Sequence, residues 1–268
     1  MKGGMNRMKI GVIAGSGVDL PGFEFIEERA VDSEYGTPSE SYKHFRYNST
    51  DVYFLRRHGA RHKIPPHRVN YRANIYGFKR IGADAVVAVS AVGGINSALK
   101  PGDIAVTANA IDFTNGRNAT YFHDDEVFHI DMTNPFCPAL RKQILSAAKR
   151  AKVKVYDGGV YLCTNGPRYE TAAEIAAYSR LGADFVGMTL FPECVLAREI
   201  GVCYANISVI TNYAAGITGN KLTSDEVIGT MGISSGYVQS ILHSFIDNLS
   251  AWECGCKNTL NGAKISDE

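Results

Sequence analysis

The sequence has no long hydrophobic run and no excess of charge of either sign. Its 268 residues include 28 lysines and arginines and 27 aspartates and glutamates, so the net charge is +1. A nucleic-acid-binding protein usually carries a basic excess gathered on one face. A membrane span needs about 18 consecutive apolar residues. Because the sequence shows neither pattern, we expect no nucleic-acid partner and no membrane insertion.

The amino terminus lacks the pattern of a secretory signal, in which a plain apolar segment precedes a small-residue cleavage site. Its apolar stretch contains Gly15 and Gly17 and is followed by Asp19. We therefore expect a cytoplasmic protein, with residues 1–8 as a loose leader and residues 257–268 as a flexible polar tail.

Cysteine is sparse, with six residues in the chain. Cys254 and Cys256 form a Cys-Gly-Cys pair near the carboxyl end. The other four lie among apolar residues and are interpreted as small buried hydrophobes; they are Cys137, Cys163, Cys194 and Cys203. A metal site needs more ligands than the Cys-Gly-Cys pair offers, so we predict no metal. A redox role or a disulfide, as in hyperthermophilic proteins, stays open for this pair.

Short β-branched runs alternate with helix-like stretches along the whole chain. The predicted strands cover residues 9–13, 51–56, 85–89, 104–106, 159–163, 185–188 and 204–210. The predicted helices cover residues 69–80, 138–151, 171–181, 193–199 and 224–248. This order predicts the α/β class, with a single domain over residues 1–268 whose mixed central β-sheet is flanked by helices.

Turns rich in glycine, serine or threonine follow several predicted strands. They are Gly15-Ser16-Gly17, Ser90-Ala91 and Thr189. Ligands of open α/β sheets bind at the carboxyl ends of strands, so we expect these turns to line one pocket. The first turn, taken alone, also fits a tight turn without a ligand. It departs from the dinucleotide-binding pattern, since the third glycine is misplaced and Pro21 interrupts the helix that should follow.

Arg57 and His58 come directly after the second predicted strand. An arginine beside a histidine can hold a phosphate by charge-assisted hydrogen bonds, and a solvated basic rim is the alternative. His58 and His62 have the spacing of metal ligands on a helix. Gly59 and the prolines at 65–66 disfavour a helix there, so we predict no metal site.

Two further segments offer groups that suit a heterocyclic ligand. Tyr169 can stack on a base, and Glu170 can accept a hydrogen bond from a ring N–H. Glu170 also suits a helix amino terminus, where a carboxylate favours the dipole. Asn212 ends the last predicted strand and offers both a donor and an acceptor, although asparagine is also a common turn residue.

Together these segments resemble the trimeric nucleoside phosphorylase family, which includes purine nucleoside and methylthioadenosine phosphorylases. The likeness runs from about Lys9 to the last helix. The motifs that carry it are IGVIAGSG, RRHGARHKIPPHRVNYRANI, SAVGGIN, PGDIAV, NGPRYET and GADFVGMTLFPECVLAREIGVCYANISVITN, with FHDDEVFHIDM as a looser match.

The resemblance implies site residues, partners and a reaction. The implied phosphate site is Ser16, Arg57, His58, Ser90, Ala91 and Thr189. The implied nucleoside site is His62, Tyr169, Glu170, Met188, Asn212, Tyr213 and Ala214, with His129 contributed by a neighbouring subunit. Catalysis would rest on His58, Glu170 and Asn212. Family members are homotrimers or dimers of trimers, and inorganic phosphate is a co-substrate, so no cofactor and no metal are expected.

The sequence departs from the methylthioadenosine branch at Asn212 and Ala214, where that branch carries aspartates. A 6-oxopurine presents N1–H as a donor and O6 as an acceptor, which suit Glu170 and the Asn212 amide. Adenine would direct a lone pair at Glu170, a mismatch of about 1–3 kcal/mol. We therefore expect phosphorolysis of inosine, guanosine or S-methyl-5′-thioinosine to the free purine and a (5-methylthio)ribose 1-phosphate.

The group at the 5′ position of the sugar is left open. Purine nucleoside phosphorylases place a histidine early in the last helix to bind a 5′-hydroxyl, and this chain has Val227 there, near Ser224. An apolar valine suits a methylthio group.

Three alternatives stand beside this hypothesis. The first is a methylthioadenosine phosphorylase, which Asn212 and Ala214 disfavour. The second is a nicotinamide dehydrogenase built on the turn at residues 15–17. The third is a nucleoside- or anion-binding protein without catalysis, which only a turnover measurement separates from an enzyme.

Overall fold

A computed structural model describes residues 8–15, 17–123, 126–219 and 221–265. The strands are β1 Lys9–Ala14, β2 Glu24–Arg29, β3 Tyr42–Tyr47, β4 Thr50–Arg56, β5 Ala85–Gly94, β6 Ile104–Val106, β7 Asn109–Asp112, β8 Tyr156–Asp157, β9 Val160–Cys163, β10 Phe185–Gly187 and β11 Cys203–Tyr213. The α-helices are α1 Tyr71–Ile81, α2 Pro138–Arg150, α3 Ala172–Arg180, α4 Leu190–Glu199 and α5 Ser224–Asp247. Short 3-10 turns cover Ala60–His62, Pro66–Arg68 and Cys256–Asn258.

The strands form one mixed sheet with a parallel centre. β4, β1, β5 and β11 lie side by side and run in the same direction. Antiparallel strands extend this centre, with β3 and β2 beyond β4 and with β6 beside β11. β10 pairs antiparallel with the end of β5 and leads through parallel pairings to β9 and β7. The central strands therefore end at one edge of the sheet, where ligands of α/β proteins bind.

Helices cover both faces of the central strands, so successive side chains of each strand face different helix pairs. Ala85, Val87 and Val89 of β5 belong to the core under α2 and α5, whereas Val86 and Ala88 belong to the core under α1 and α4. This double burial explains why the central strands are almost continuously apolar. It confirms the predicted α/β class with a helix-flanked mixed sheet.

Every predicted strand and helix is present, and the differences lie at the edges and ends. Strands β2, β3, β7 and β8 were not predicted. All six residues of β2 are exposed and β8 has two exposed residues, so neither has an apolar pattern. β5 and β11 extend past their predicted ends because Gly93 and Gly94 of β5 pair with both β10 and β11. Within the described ranges, no helix has the length and apolar character of a membrane span.

The predicted flexible ends fall partly outside the described residues, at 1–7 and 266–268. The described part of the tail is hydrogen-bonded to the loop that contains His129. The Ile265 amide donates to the Val127 carbonyl at 2.9 Å, and the His129 amide donates to the Ala263 carbonyl at 2.9 Å.

Gly77 in α1 allows the helix to lie directly on Tyr42 of β3. A Cβ atom at Gly77 would come within 2.0 Å of the Tyr42 hydroxyl oxygen. That buried hydroxyl donates to the Asn74 carbonyl at 2.6 Å and has little room to move. Gly77→Ala is therefore expected to lower stability by about 1–3 kcal/mol through overpacking, although alanine favours helices by about 1 kcal/mol.

The matched control is Gly229→Ala in α5, where an added Cβ would have no atom within 4 Å. This change is expected to raise the thermal unfolding midpoint slightly, while Gly77→Ala lowers it. A higher midpoint for Gly77→Ala would show that the contact with Tyr42 does not limit this position.

Candidate active site

A cavity of about 450 Å³ opens at the carboxyl edge of the central strands. Its walls come from the turns after β1, β4 and β10, the second half of β5, the end of β11, the loop before α3, and the beginning of α5. The turns predicted to converge therefore do so around one space. Its size is that of a small-molecule site.

Most of the residues predicted for the site line this cavity. They are Arg57, His58, His62, Ser90, Ala91, Tyr169, Glu170, Met188, Thr189, Asn212, Ala214, Ser224 and Val227. Ser16 lies outside the described residues, but its neighbours Gly15 and Gly17 both line the cavity. Tyr213 and His129 are not part of the lining in this chain.

Arg57 forms a buried, two-pronged ion pair with Glu193 of α4. Its Nε donates to Glu193 Oε1, and its Nη2 donates to Glu193 Oε2 at 3.1 Å. The guanidinium also donates to the carbonyls of Ile13, near the end of β1, and of Val89, in the middle of β5. Arg57 is 1% exposed and Glu193 is 0% exposed. The alternative of a solvated basic rim is therefore wrong for Arg57.

Glu193 also cancels the charge that Arg57 brings to the cavity. Burial by itself lowers the pKa of Arg57, but the adjacent carboxylate more than reverses this, so the pKa lies above its ordinary value. The Tyr204 hydroxyl donates to Glu193 Oε2 at 2.8 Å and fixes the carboxylate from β11. The roles of Glu193 and Tyr204 were not predicted from the sequence, although an acidic residue inside the apolar run 190–197 can be recognised there.

His58 is neutral and held in one tautomer. Burial, together with the neighbouring Arg57 charge, lowers the pKa of His58 to about 3. Its Nδ1 lies 2.8 Å from the Ile64 carbonyl, which can only accept, so Nδ1 carries the proton. Nε2 is then an acceptor, and the ring stacks on His62 with centroids 4.2 Å apart. His58 therefore offers a lone pair at the cavity rather than a positive charge.

Ser90 is positioned by a polar network inside the sheet. Its hydroxyl lies 3.4 Å from that of Thr189 and accepts from the Asn206 amide at 3.0 Å. Asn206 in turn accepts from Thr107 at 2.8 Å and from Ser208 at 2.7 Å, and all three are fully buried. These residues were not predicted, although polar residues at 206 and 208 interrupt an otherwise apolar strand.

Glu170 faces the cavity because two other residues cap the helix that follows it. Thr171 accepts from the Glu174 amide at 3.1 Å, and the Glu174 carboxylate accepts from the Thr171 amide at 2.7 Å. Glu170 is thus not needed at the helix terminus, and its Oε1 accepts from the Thr164 hydroxyl at 2.8 Å. Burial raises the pKa of Glu170, and the Thr164 hydrogen bond opposes that rise.

Asn212 presents a fixed amide at the end of β11. Its Oδ1 accepts from the Thr211 hydroxyl at 2.9 Å, and its Nδ2 donates to the Tyr213 carbonyl at 2.9 Å. One N–H and one lone pair remain for a ligand. Tyr213 thus contributes its carbonyl to this arrangement, while Ala214 leaves space beside the amide.

Arg117 fixes the backbone of Met188 in the cavity wall. This role of Arg117 was not predicted from the sequence. Arg117 donates to the carbonyls of Met188 at 2.9 Å and of Asn165 at 3.0 Å, and it also reaches the Phe191 carbonyl. Gly166 makes this wall possible, since a Cβ there would lie 2.5 Å from the Met188 sulfur.

Part of the cavity wall is apolar. The side chains that line it come from the start of α5 and the segment before it: Leu222, Val227, Ile228 and Met231. Ser224 is the polar member of this group. Contact with these side chains would stabilise an apolar substituent by about 25 cal/mol per Å² of apolar surface removed from water.

A family model described as the phosphorylase superfamily matches residues 9–247. The chain belongs to the phosphorylase superfamily. It is 43% identical over 261 residues to a Thermodesulfovibrio yellowstonii protein named a probable S-methyl-5′-thioinosine phosphorylase, covering 97% of this chain and 98% of that one. It is 42% identical over 264 residues to the 6-oxopurine nucleoside phosphorylase of Pyrococcus furiosus, with coverages of 95% and 98%.

Solved structures agree with this assignment to the phosphorylase superfamily. A methylthioadenosine phosphorylase from an Antarctic soil metagenomic library superposes with a TM-score of 0.90 at 30% identity, covering 98% of this chain and 94% of that one. The predicted resemblance to nucleoside phosphorylases, the predicted fold and the prediction of an enzyme are thereby confirmed.

Loss of the Glu193 charge is expected to destabilise the fold and the cavity wall together. Glu193→Gln leaves the Arg57 charge buried without a counterion, which typically costs about 3–5 kcal/mol. The thermal unfolding midpoint is expected to fall, and affinity for inorganic phosphate, measured by calorimetry, is expected to rise about tenfold, because the charge of Arg57 in the cavity lining is then unmatched.

Glu199→Gln is the matched control, because Glu199 is also buried in α4 but bonds to the Tyr121 amide and does not line the cavity. It is expected to retain wild-type phosphate affinity. Equal phosphate affinity in the two variants would contradict the conclusion that Glu193 cancels the charge of Arg57.

His58 is expected to make the protein less stable in acid. Its folded pKa of about 3 lies below the ordinary value of 6.5, so between these values the unfolded chain binds a proton that the folded chain does not. Stability should therefore fall as the pH drops through this window, by up to about 1.4 kcal/mol per pH unit.

Denaturant unfolding at a series of pH values measures this slope. His58→Asn should reduce the fall in stability as the pH drops through this window. His67→Asn, at an exposed position, should keep the wild-type dependence of stability on pH. Identical slopes in wild type and His58→Asn would contradict a buried neutral His58.

Proposed function

We propose that the protein cleaves the N-glycosidic bond of 6-oxopurine nucleosides with inorganic phosphate. A phosphate oxygen attacks C1′ of the sugar, the bond from C1′ to the purine nitrogen breaks, and its electron pair leaves with the base. The products are the free purine and a ribose 1-phosphate. Positive charge develops on the sugar and negative charge on the base, so the protein must position phosphate and stabilise the leaving purine.

The phosphate end of the cavity supports this reaction by hydrogen-bonding groups with little net charge. Ser90 and Thr189 place two hydroxyls 3.4 Å apart, next to Ala91 and the turn at Gly15 and Gly17. Neutral His58 can accept a hydrogen bond at Nε2 from the hydroxyl of a singly protonated phosphate. Since the charge of Arg57 is already matched by Glu193, the remaining attraction is directional, which orients the nucleophile.

The observation that carries the choice of base is the pairing of Glu170 and Asn212 in one cavity. A 6-oxopurine can donate N1–H to the Glu170 carboxylate and accept at O6 or N7 from the free Asn212 N–H. As negative charge builds on the leaving base, the bond from Asn212 strengthens. Catalysis therefore rests on Asn212 and Glu170 at the base and on His58 at the phosphate.

A methylthioadenosine phosphorylase is the second candidate, favoured by the structural match to such an enzyme. Adenine needs a donor at N1, and ionised Glu170 has none. Burial raises the pKa of Glu170, so protonated Glu170 could supply that donor only as the pH falls. The neutral Asn212 and Ala214 provide no carboxylate to accept from the exocyclic amine or from a protonated N7.

The apolar part of the cavity wall favours a 5′-methylthio group over a 5′-hydroxyl. Val227, Ile228 and Met231 offer apolar contacts to a methylthio group, whereas a hydroxyl would find only Ser224 as a polar partner in this group. Apolar contact stabilises the methylthio group by removing its surface from water, and a hydroxyl gains little from it. We therefore place S-methyl-5′-thioinosine ahead of inosine and guanosine as the substrate.

A homotrimer, or a dimer of such trimers, is proposed as the working form. His129 is exposed and lies outside the cavity of its own chain. It is therefore in a position to act on a neighbouring site rather than on its own.

Release of free base from five nucleosides, with and without phosphate, tests the proposal. The substrates are inosine, guanosine, S-methyl-5′-thioinosine, adenosine and S-methyl-5′-thioadenosine, assayed well above the pKa of a carboxylic acid. Phosphate-dependent release is expected, faster by about tenfold or more for the 6-oxopurines. Among the three 6-oxopurine nucleosides, S-methyl-5′-thioinosine is expected to have the lowest KM. No phosphate-dependent release from any substrate would overturn the proposal.

Asn212→Asp tests the choice of base within the same assay. It is expected to raise the ratio of 6-aminopurine to 6-oxopurine activity, because a carboxylate accepts from the exocyclic amine. Asn261→Asp, at an exposed position in the tail, controls for the added charge and should leave the ratio unchanged. An unchanged ratio in Asn212→Asp would count against the Glu170–Asn212 pairing.

A further inference from the structure

Four cysteines from separate parts of the chain meet at the end of the sheet opposite the cavity. Cys137 precedes α2, Cys203 begins β11, and Cys254 and Cys256 belong to the segment after α5. Their four sulfur atoms all lie within 4.8 Å of one another. The fold thus brings two further thiols to the Cys-Gly-Cys pair. Cys137 and Cys203 are buried, as predicted from the sequence, and lie beside that pair.

The spacing of the sulfurs matches a shared central ion. Tetrahedral zinc with Zn–S bonds of about 2.3 Å holds its sulfurs about 3.8 Å apart. The Cys203 and Cys254 sulfurs lie 3.3 Å apart, and all four cysteines are free. A disulfide would bring two sulfurs to about 2.0 Å. A polynuclear iron–sulfur cluster would place several irons between the cysteines and hold them farther apart.

We propose that Cys137, Cys203, Cys254 and Cys256 form a four-thiolate site for a single zinc ion. Four sulfur ligands in a tetrahedral arrangement are the donor set that zinc prefers in structural sites. The site is closed, since four protein ligands leave no position for a substrate or water. Binding of the ion releases the thiol protons, so the affinity rises with pH.

The surroundings of the cluster favour thiolates over thiols. The Leu140 amide donates to the Cys137 sulfur at 3.5 Å, and Cys137 sits at the amino terminus of α2, where the helix dipole favours negative charge. The Trp252 indole N–H donates to the Cys203 sulfur at 3.4 Å. Such N–H groups around metal-bound sulfur orient the ligands and stabilise their charge. Three of the four cysteines are buried, and Cys254 is partly exposed, which gives an ion a way in.

The ion would stabilise the fold and would take no part in the proposed reaction. Cys203 and Asn212 stand nine residues apart on β11, about 30 Å at about 3.3 Å per residue. The segment from 249 to 265 contains one short 3-10 turn and no α-helix among its described residues. An ion held by Cys254 and Cys256 would tie this segment to α2 and β11. The segment also pairs with the loop at 127–129, so the ion would steady that loop as well.

Metal content and cobalt substitution test the proposal on the full-length protein. Elemental analysis of protein purified with reductant is expected to give about one zinc per chain. Co²⁺ in place of zinc is expected to show the intense thiolate-to-metal absorption of a tetrahedral four-sulfur site. Removal of the metal with a chelator is expected to lower the thermal midpoint, while reductant alone leaves it unchanged. None of these measurements depends on the proposed reaction.

Cys254→Ser removes one ligand and is expected to weaken zinc binding by at least about tenfold. Cys194→Ala is the matched control, because Cys194 is buried in α4 outside the cluster, and it should retain one zinc per chain. Thiol counting after denaturation separates the remaining outcomes. Wild-type protein that takes up neither zinc nor cobalt overturns the proposal, whether its four thiols prove free or joined as disulfides. Should Cys254→Ser fail to fold, the cobalt titration of the wild type decides alone.

Discussion

The buried ion pair between Arg57 and Glu193 is the interaction on which the rest of the site depends. Its groups come from the end of β4 and from α4, and its further partners are Tyr204 of β11 and the carbonyls of Ile13 and Val89. It therefore connects Arg57, which lines the cavity, to four neighbouring strands and a helix. Because desolvation offsets much of the attraction within a buried pair, its main effect is to fix positions rather than to add stability.

A second consequence of this pair is that the charge of Arg57 is already matched at the proposed phosphate site. A full charge in direct contact with phosphate would stabilise the nucleophile before the reaction and so add little to the rate. Hydroxyls and neutral His58, fixed before the substrate arrives, can instead orient the phosphate toward C1′. The polar network from Ser90 through Asn206 to Thr107 and Ser208 explains how a hydroxyl stays in place inside an apolar sheet.

The sequence was sufficient for the central strands and the helices, because a doubly buried strand followed by a glycine- or serine-rich turn is a local pattern. Much of the predicted cavity lining was implied by the resemblance to nucleoside phosphorylases. It did not reveal β2 or β8, whose stability comes from neighbours rather than from an apolar period. Glu193, Arg117 and Asn206 were also missed, since each acts on a residue far away in the chain. The cysteine cluster was missed for the same reason: 66 positions separate Cys137 from Cys203, and only the sheet brings them together.

The proposed selectivity for the base depends on how firmly Asn212 is held. An amide free to rotate could turn its oxygen or its nitrogen toward the ligand and would accept either kind of purine. Here the Thr211 hydroxyl fixes Oδ1 and the Tyr213 carbonyl fixes Nδ2, so the protein determines which group faces the base before it binds. Discrimination then arises from the cost of leaving buried groups unpaired, which exceeds what a difference in shape could provide. Ala214 contributes to this discrimination because it places no carboxylate beside the Asn212 amide.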